Sequence, residues 1–177
     1  MSKSRRITAL LVALSALFLT AGLSTSAASA KPAKTAPSAG IAAYPAQCKV
    51  TITAVQRGRN LRTDSLRRVF ADSTGTGAAE EFWIQDLNDT QTRLQSNSTG
   101  GYLANRGGVI RADGSSNSIE ALVNWIDVDS SNRTFRLTSI LSPSNVVRAA
   151  PDTGELFVDN RNFDAWTIFQ YNIVYCL

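Results

Sequence analysis

The sequence of 177 residues contains no histidine. Ser-His-Asp and Cys-His catalytic units and His-ligated zinc are therefore excluded. Charge of one sign is also scarce. The chain has 18 Lys+Arg and 14 Asp+Glu, nominally +4, but Lys3, Arg5 and Arg6 lie in an N-terminal stretch without acids. From Cys48 onward the count is 13 against 14, essentially neutral. Nucleic-acid binding by phosphate neutralisation needs a net basic surface and is disfavoured. Sustained helical periodicity is missing after Cys48, and so is a cluster of metal-ligand residues. No catalytic residue, metal or cofactor is expected.

The N-terminus is different in character. A basic start is followed by an apolar run from Ala9 to Leu23 and small residues ending in Ala28-Ser29-Ala30. This is the layout of a secretory signal over 1–30, cleaved after Ala30. The run is broken by Ser15, Thr20 and Gly22 and is short for a membrane anchor, so no membrane association is expected after cleavage. Arg5-Arg6 hints at twin-arginine export, but Thr8 and Ala9 are poor followers, which favours general secretion. Residues 31–47 are rich in Pro, Ala, Ser and Lys without periodicity, and read as a flexible leader. The domain itself is expected over 48–177, secreted and monomeric.

Only two cysteines are present, Cys48 and Cys176, at the two ends of that domain. In an exported chain such a pair reads as a disulfide. Closing so long a loop restricts the unfolded chain by roughly 4–5 kcal/mol in the entropic account. It also requires the first and last strands to lie side by side. The alternative is two free thiols, one of them nucleophilic, for which no His or nearby base is at hand.

The domain repeats itself. Val50-Thr51-Ile52-Thr53, Thr92-Arg93-Leu94-Gln95 and Phe135-Arg136-Leu137-Thr138 all alternate apolar and polar, with Ile52, Leu94 and Leu137 spaced by 42 and 43 residues. Nine residues further on stand Leu61, Leu103 and Val146, each after a turn signal. Three apolar segments then run into Asp72, Asp113 and Asp159. Ile84, Ile126 and Ile168 follow at intervals of 42. Each repeat offers four short strands bounded by Gly, Ser, Asn, Asp or Pro turns. The segment Ile119 to Ile126 would pass for a short helix, but its place in the repeat matches strand four. Twelve strands in three units, at about 48–90, 91–132 and 133–177, predict an all-β fold closed about a threefold axis, the β-trefoil. Ile52, Leu94, Leu137, Ile84, Ile126 and Ile168 are expected in its barrel, with Leu61, Leu103 and Val146 beneath the cap. Asn124 is the expected misfit, a buried amide in need of partners.

The stretches Gly58-Arg59-Asn60-Leu61 through Glu81-Phe82-Trp83-Ile84, and Gly100-Gly101-Tyr102-Leu103 through Ala112-Asp113, resemble the β-trefoil of fascin-like, actin-cross-linking-type modules, with a bacterial, GC-rich flavour to the composition. The resemblance covers about 48–177. Repeat three departs from it, with Pro143-Ser144-Asn145 at the glycine turn. The Gln-x-Trp pattern of ricin-type lectins is absent (Ile84-Gln85-Asp86, Phe169-Gln170-Tyr171). The resemblance implies a fold more than a function, because such trefoils bind actin, sugars and proteins.

Candidate site residues lie in repeats one and two. Trp83 and Trp125 share a repeat position, and alternation turns both away from the barrel if Ile84 and Ile126 point inward. Tyr102, beside Asn105 and Arg106, offers stacking plus polar readout. Arg59 and Arg62 belong to a cluster with Arg57, Arg67 and Arg68 that suits oxyanions. Asp72, Asp113 and Asp159 read as turn residues that bond backbone N–H groups. Together these features predict a secreted, non-catalytic module whose partner is an extracellular glycan or surface polymer, bound through Trp83, Trp125, Tyr102, Asn105, Arg106, Arg59 and Arg62. The competing reading is a protein-binding trefoil, either a protease inhibitor with Arg148 as bait or a binder of actin or another host protein.

Overall fold

A computed structural model describes residues 47–88, 90–160 and 163–177. The expected signal segment lies outside the described residues, as does the leader apart from Gln47.

Repeat one contributes β1 (Cys48–Ala54), β2 (Arg59–Thr63), β3 (Val69–Ser73) and β4 (Glu81–Asp86). Repeat two contributes β5 (Gln91–Ser96), β6 (Tyr102–Arg106), β7 (Val109–Gly114) and β8 (Val123–Asp129). Repeat three contributes β9 (Thr134–Ser139), β10 (Ser142–Ala149), β11 (Leu156–Asp159) and β12 (Phe169–Cys176). The first and fourth strands of the repeats pair in a closed ring, β1-β4-β5-β8-β9-β12 and back to β1, antiparallel throughout. Closure leaves no free barrel edge. The second and third strands form three hairpins, β2-β3, β6-β7 and β10-β11. A closed six-stranded barrel with three hairpins is a β-trefoil.

The hairpins cap one end of the barrel and are tied to each other by three matching backbone bonds. Ala71 N–H donates to Gly154 O (2.7 Å), Ala112 N–H to Arg67 O (2.8 Å) and Val158 N–H to Gly108 O (2.7 Å). The acceptor in each case sits in the left-handed region: Arg67 at φ 62°, Gly108 at 97° and Gly154 at 78°. Two repeats place glycine there, which adopts that geometry without a Cβ clash; repeat one places an arginine.

Cys48 and Cys176 are cross-strand partners of β1 and β12 and are disulfide-bonded. Ile52, Ile84, Leu94 and Leu137 are buried in the barrel, and Leu61, Leu103 and Val146 under the cap. Leu61 faces Ala71 and Leu103 faces Ala112, but in repeat three it is Val147, also buried, that faces Val158.

Ile126 and Ile168 depart from expectation. Ile126 is 39% exposed and Ile168 only half-buried. The residues aligned by pairing with the anchors are Ile84 opposite Leu94, Trp125 opposite Leu137 and Tyr171 opposite Ile52. The even spacing of the three isoleucines is therefore coincidental. From Leu61 to its partner Ala71 is ten residues, whereas from Leu103 to Ala112 is nine. One residue fewer in the β6-β7 hairpin shifts β8 by one, and in a strand that exchanges the inner and outer faces. Trp125 accordingly points into the barrel, 5% exposed. Asn124 takes the outer position, half-buried, and its amide donates to Thr138 Oγ1 at 3.3 Å. Residues 119–121 form one turn of 3-10 helix ahead of β8, so the helical and strand readings of that segment each hold for a part.

Candidate functional site

Trp83 stands on the outer face of β4, between the buried Phe82 and Ile84. Its neighbours across the sheet are Lys49 on β1 and Gln95 on β5. The ammonium of Lys49 lies 5.1 Å from the Trp83 ring centre and 5.0 Å from that of Tyr175. The two rings meet edge to face at 5.3 Å. Glu81 accepts from Lys49 (3.3 Å) and from the Asn97 amide (2.8 Å), and Asn97 in turn accepts from the indole N–H (3.3 Å). The indole is thus fixed by a cation, an aromatic edge and a hydrogen bond.

An open hollow of about 230 Å³ lies beside it, lined by Gln47, Trp83, Gln85, Gln95 and Leu177. Gln85 donates to Gln95 (3.4 Å), Gln95 donates to Gly100 O (2.8 Å), and the Tyr102 hydroxyl donates to Gln85 (3.0 Å). Alternation explains the set: Trp83 and Gln85 are two apart on β4, and Gln95 is the direct partner of both Trp83 and Tyr102. One aromatic face bordered by amide donors and acceptors is suited to a neutral, hydroxylated ligand. None of the lining side chains is a carboxylate.

Of the expected site residues, Trp83 and Tyr102 are brought together here. Trp125 is not an outward partner of Trp83: it lies inside the barrel, stacked on Phe135 at 3.6 Å, with its N–H on Asp127 (3.0 Å). The outer positions equivalent to Trp83 are filled by Asn124 and Gln170. Asn105 and Arg106 lie apart, at the tip of the β6-β7 hairpin. The Asn105 side-chain Oδ1 accepts from Gly108 N–H (2.8 Å), and Arg106 pairs with Asp113 (2.9 Å) and Glu120 (3.7 Å). The Glu120 carboxyl is held below its usual range, first by a short bond from the Ser118 hydroxyl and more weakly by Arg106. Arg62 is held in a two-pronged pair with Asp72 (2.7 and 2.8 Å), and that bond favours its charged form further, against partial burial. Arg59 is exposed.

Asp72, Asp113 and Asp159 recur for a reason other than turn chemistry. Each accepts from an arginine of its own hairpin: Arg62, Arg106 and Arg148. Arg148 is 9% exposed, between Asp159 (3.4 Å) and Asp164 (3.2 Å), and so is not an exposed protease bait. Arg57 is also structural, donating to the carbonyls of Ala71, Ala150 and Pro151.

The sequence reading missed Lys49, Gln47, Gln85, Gln95, Tyr175 and Leu177. The signal for two of them was present, since a Cys48–Cys176 pair already puts Tyr175 across from Lys49. A narrow, largely apolar pocket between repeats two and three, lined by Leu94, Leu103, Ile110 and Val147 with Asn105 and Glu120 among others, has a volume of about 20 Å³. That is room for about one water and no organic ligand. Among the described residues no group of three Cys, Asp or Glu converges as metal ligands would.

No family model matches the chain, and no curated protein matches it. Solved structures do. The designed threefold-symmetric protein ThreeFoil aligns at a TM-score of 0.62 and 13% identity, over 70% of this chain and 96% of that one. The chain folds as those trefoils do. A ricin B-like lectin from Macrolepiota procera, solved with lactose, aligns at 0.59 and 15%, over 72% and 96%. The GlcNAcα1-4Gal-releasing endo-β-galactosidase of Clostridium perfringens aligns at 0.63 and 20%, over 72% of this chain but 33% of the enzyme. At such identities the likeness concerns the fold.

Proposed function

We propose that this protein is an exported, non-catalytic binding module that takes carbohydrate on the outer barrel face around Trp83. The carrying observation is the immobilised indole beside three glutamine amides, Gln47, Gln85 and Gln95, in one open hollow. A pyranose ring stacks its C–H face on an indole while amides read its hydroxyls. The lactose bound by the lectin neighbour supports the same ligand class. A glycosidase uses two carboxylates about the scissile bond; among the described side chains Glu81 is the carboxylate held beside Trp83, and it is tied to Lys49 and Asn97. Export rests on the N-terminal signal pattern, and the Cys48–Cys176 bridge agrees with an oxidising compartment. The fascin-like resemblance belongs to this reading as well, as a description of the scaffold.

The test is a titration of the mature domain against cellulose, chitin and soluble galactosides. Trp83→Ala should weaken binding about tenfold, since a lost stacking contact of about 1.4 kcal/mol has that effect. Gln95→Ala should weaken it less. A folded Trp83→Ala variant with wild-type affinity would overturn the assignment.

A further inference from the structure

We propose a second, separate binding site, for the oxyanion groups of an acidic polysaccharide, on the cap where the first hairpin meets the second. It does not depend on the neutral groove around Trp83.

Arg68 and Arg111 are backbone partners across the β3-β7 seam. Residues directly opposite in an antiparallel pair project to the same side, so two guanidinium-bearing chains leave the cap together. Arg67 joins them, because its carbonyl receives the Ala112 N–H at 2.8 Å, one residue from Arg111. Alike charges set side by side repel. Part of that is relieved: Arg68 pairs with Asp64 at 2.8 Å and lies 5.1 Å from the Phe70 ring centre. Nothing comparable relieves the other two. Among the described residues neither the Arg67 nor the Arg111 side chain has a hydrogen bond, an ion pair or a ring contact. Glu155, opposite Phe70 where the first hairpin meets the third, forms no ion pair with them among the described residues.

Arg67 is unusual in a second respect. It holds a left-handed φ of 62° at the position where the other two repeats have Gly108 and Gly154. The tie to Ala112 uses only the backbone, so folding asks for glycine there and not for arginine. A strained residue kept against local preference, with an exposed and unpaired cationic side chain, points to a ligand. Net charge does not account for it, because the chain from Cys48 onward carries 13 basic and 14 acidic residues. The planar guanidinium suits sulfate and carboxylate oxygens, and several on one open face call for a ligand with several anions, as a polymer presents them.

The experiment measures retention of the mature domain on dextran sulfate, with uncharged dextran, polygalacturonate and poly-Glu alongside, at low and high salt. Wild type should bind dextran sulfate, bind dextran far less, and release with salt because exposed ion pairs are screened. Binding to polygalacturonate would identify carboxylate rather than sulfate as the natural anion. Arg67→Gly with Arg111→Ala should weaken dextran sulfate binding about tenfold, while Arg67→Gly alone should raise the thermal midpoint. Trp83→Ala should leave this binding unchanged, so the two sites fail separately. The proposal is overturned if wild type does not bind dextran sulfate at low salt, if the folded double variant binds like wild type, or if poly-Glu binds as tightly as the polysaccharides.

Discussion

The indole of Trp125 lies flat on the ring of Phe135 inside the barrel, centroids 3.6 Å apart and planes 8° from parallel. Tyr171 meets the same indole edge-on at 5.6 Å, and Phe169 lies 5.9 Å from Phe135. Trp125 takes in repeat two the inner position that Ile84 holds in repeat one. Trp125→Ala should therefore cost about 3–5 kcal/mol of stability, the range for emptying a large aromatic site. Trp125→Phe should cost less and leave glycan affinity unchanged. Chemical denaturation, with titration of the folded variant, checks both.

Ile84 and Ile126 separate the two possible registers of repeat two. Ile84 is fully buried and Ile126 is 39% exposed. Ile84→Ala should cost about 2–5 kcal/mol. Ile126→Ala should stay within about 0.5 kcal/mol, as surface changes do. Equal losses at the two positions would contradict the register described above.

The same pair shows what was legible in the sequence. Alternating anchors at Ile52, Leu94 and Leu137 carry their parity in their own segment, so they located the barrel correctly. The parity of β8 is set elsewhere, by the length of the preceding hairpin, and a fixed period read across a hairpin of variable length puts Ile126 where Trp125 belongs. The error then propagates, since the inner–outer exchange turned a core tryptophan into an expected binding residue. Trp83 was placed on the outer face because its parity is read from Ile84 in the same strand, and Ile84 is buried. The charged residues were less readable. Whether Arg62 or Arg148 is free or paired depends on which carboxylate the hairpin brings opposite, and that is a tertiary fact. Gln85 and Gln95 form part of the groove through sheet pairing alone, and single glutamines carry no motif.

Cys48 and Cys176 close the ring at the β1-β12 seam. The unreduced, exported protein should show no thiol available to alkylation by intact mass. Cys48→Ser should lose about 2–5 kcal/mol, the usual effect of removing a native disulfide, and keep its β-sheet circular dichroism. The seam retains its antiparallel backbone pairing without the bridge, so the fold class should survive. Two alkylatable thiols in the unreduced protein would contradict the bridge.

Asp64 and Asp86 should shape the acid limb of the stability curve in opposite senses. Partial burial pushes the Asp64 carboxyl up, but the backbone N–H of Arg68, the Arg68 guanidinium and the Leu66 N–H together hold it below its ordinary value. A depressed carboxyl contributes stability above its unfolded pKa of about 4 and loses it as pH falls through the lower folded value. Asp64→Asn should therefore lower stability at neutral pH and flatten the fall below about pH 4. Asp86 behaves the other way. Burial raises its pKa, and the Thr92 hydroxyl, donating at 3.2 Å, offsets this only in part. Its ionisation on raising the pH from about 4 through the folded value costs stability, and that cost persists at neutral pH. Asp86→Asn keeps an acceptor for Thr92 and removes the buried charge, so it should stabilise the neutral protein. Urea midpoints of both variants and wild type between pH 3 and pH 7 provide the check. Parallel curves for all three would show that neither carboxyl is coupled to folding in this way.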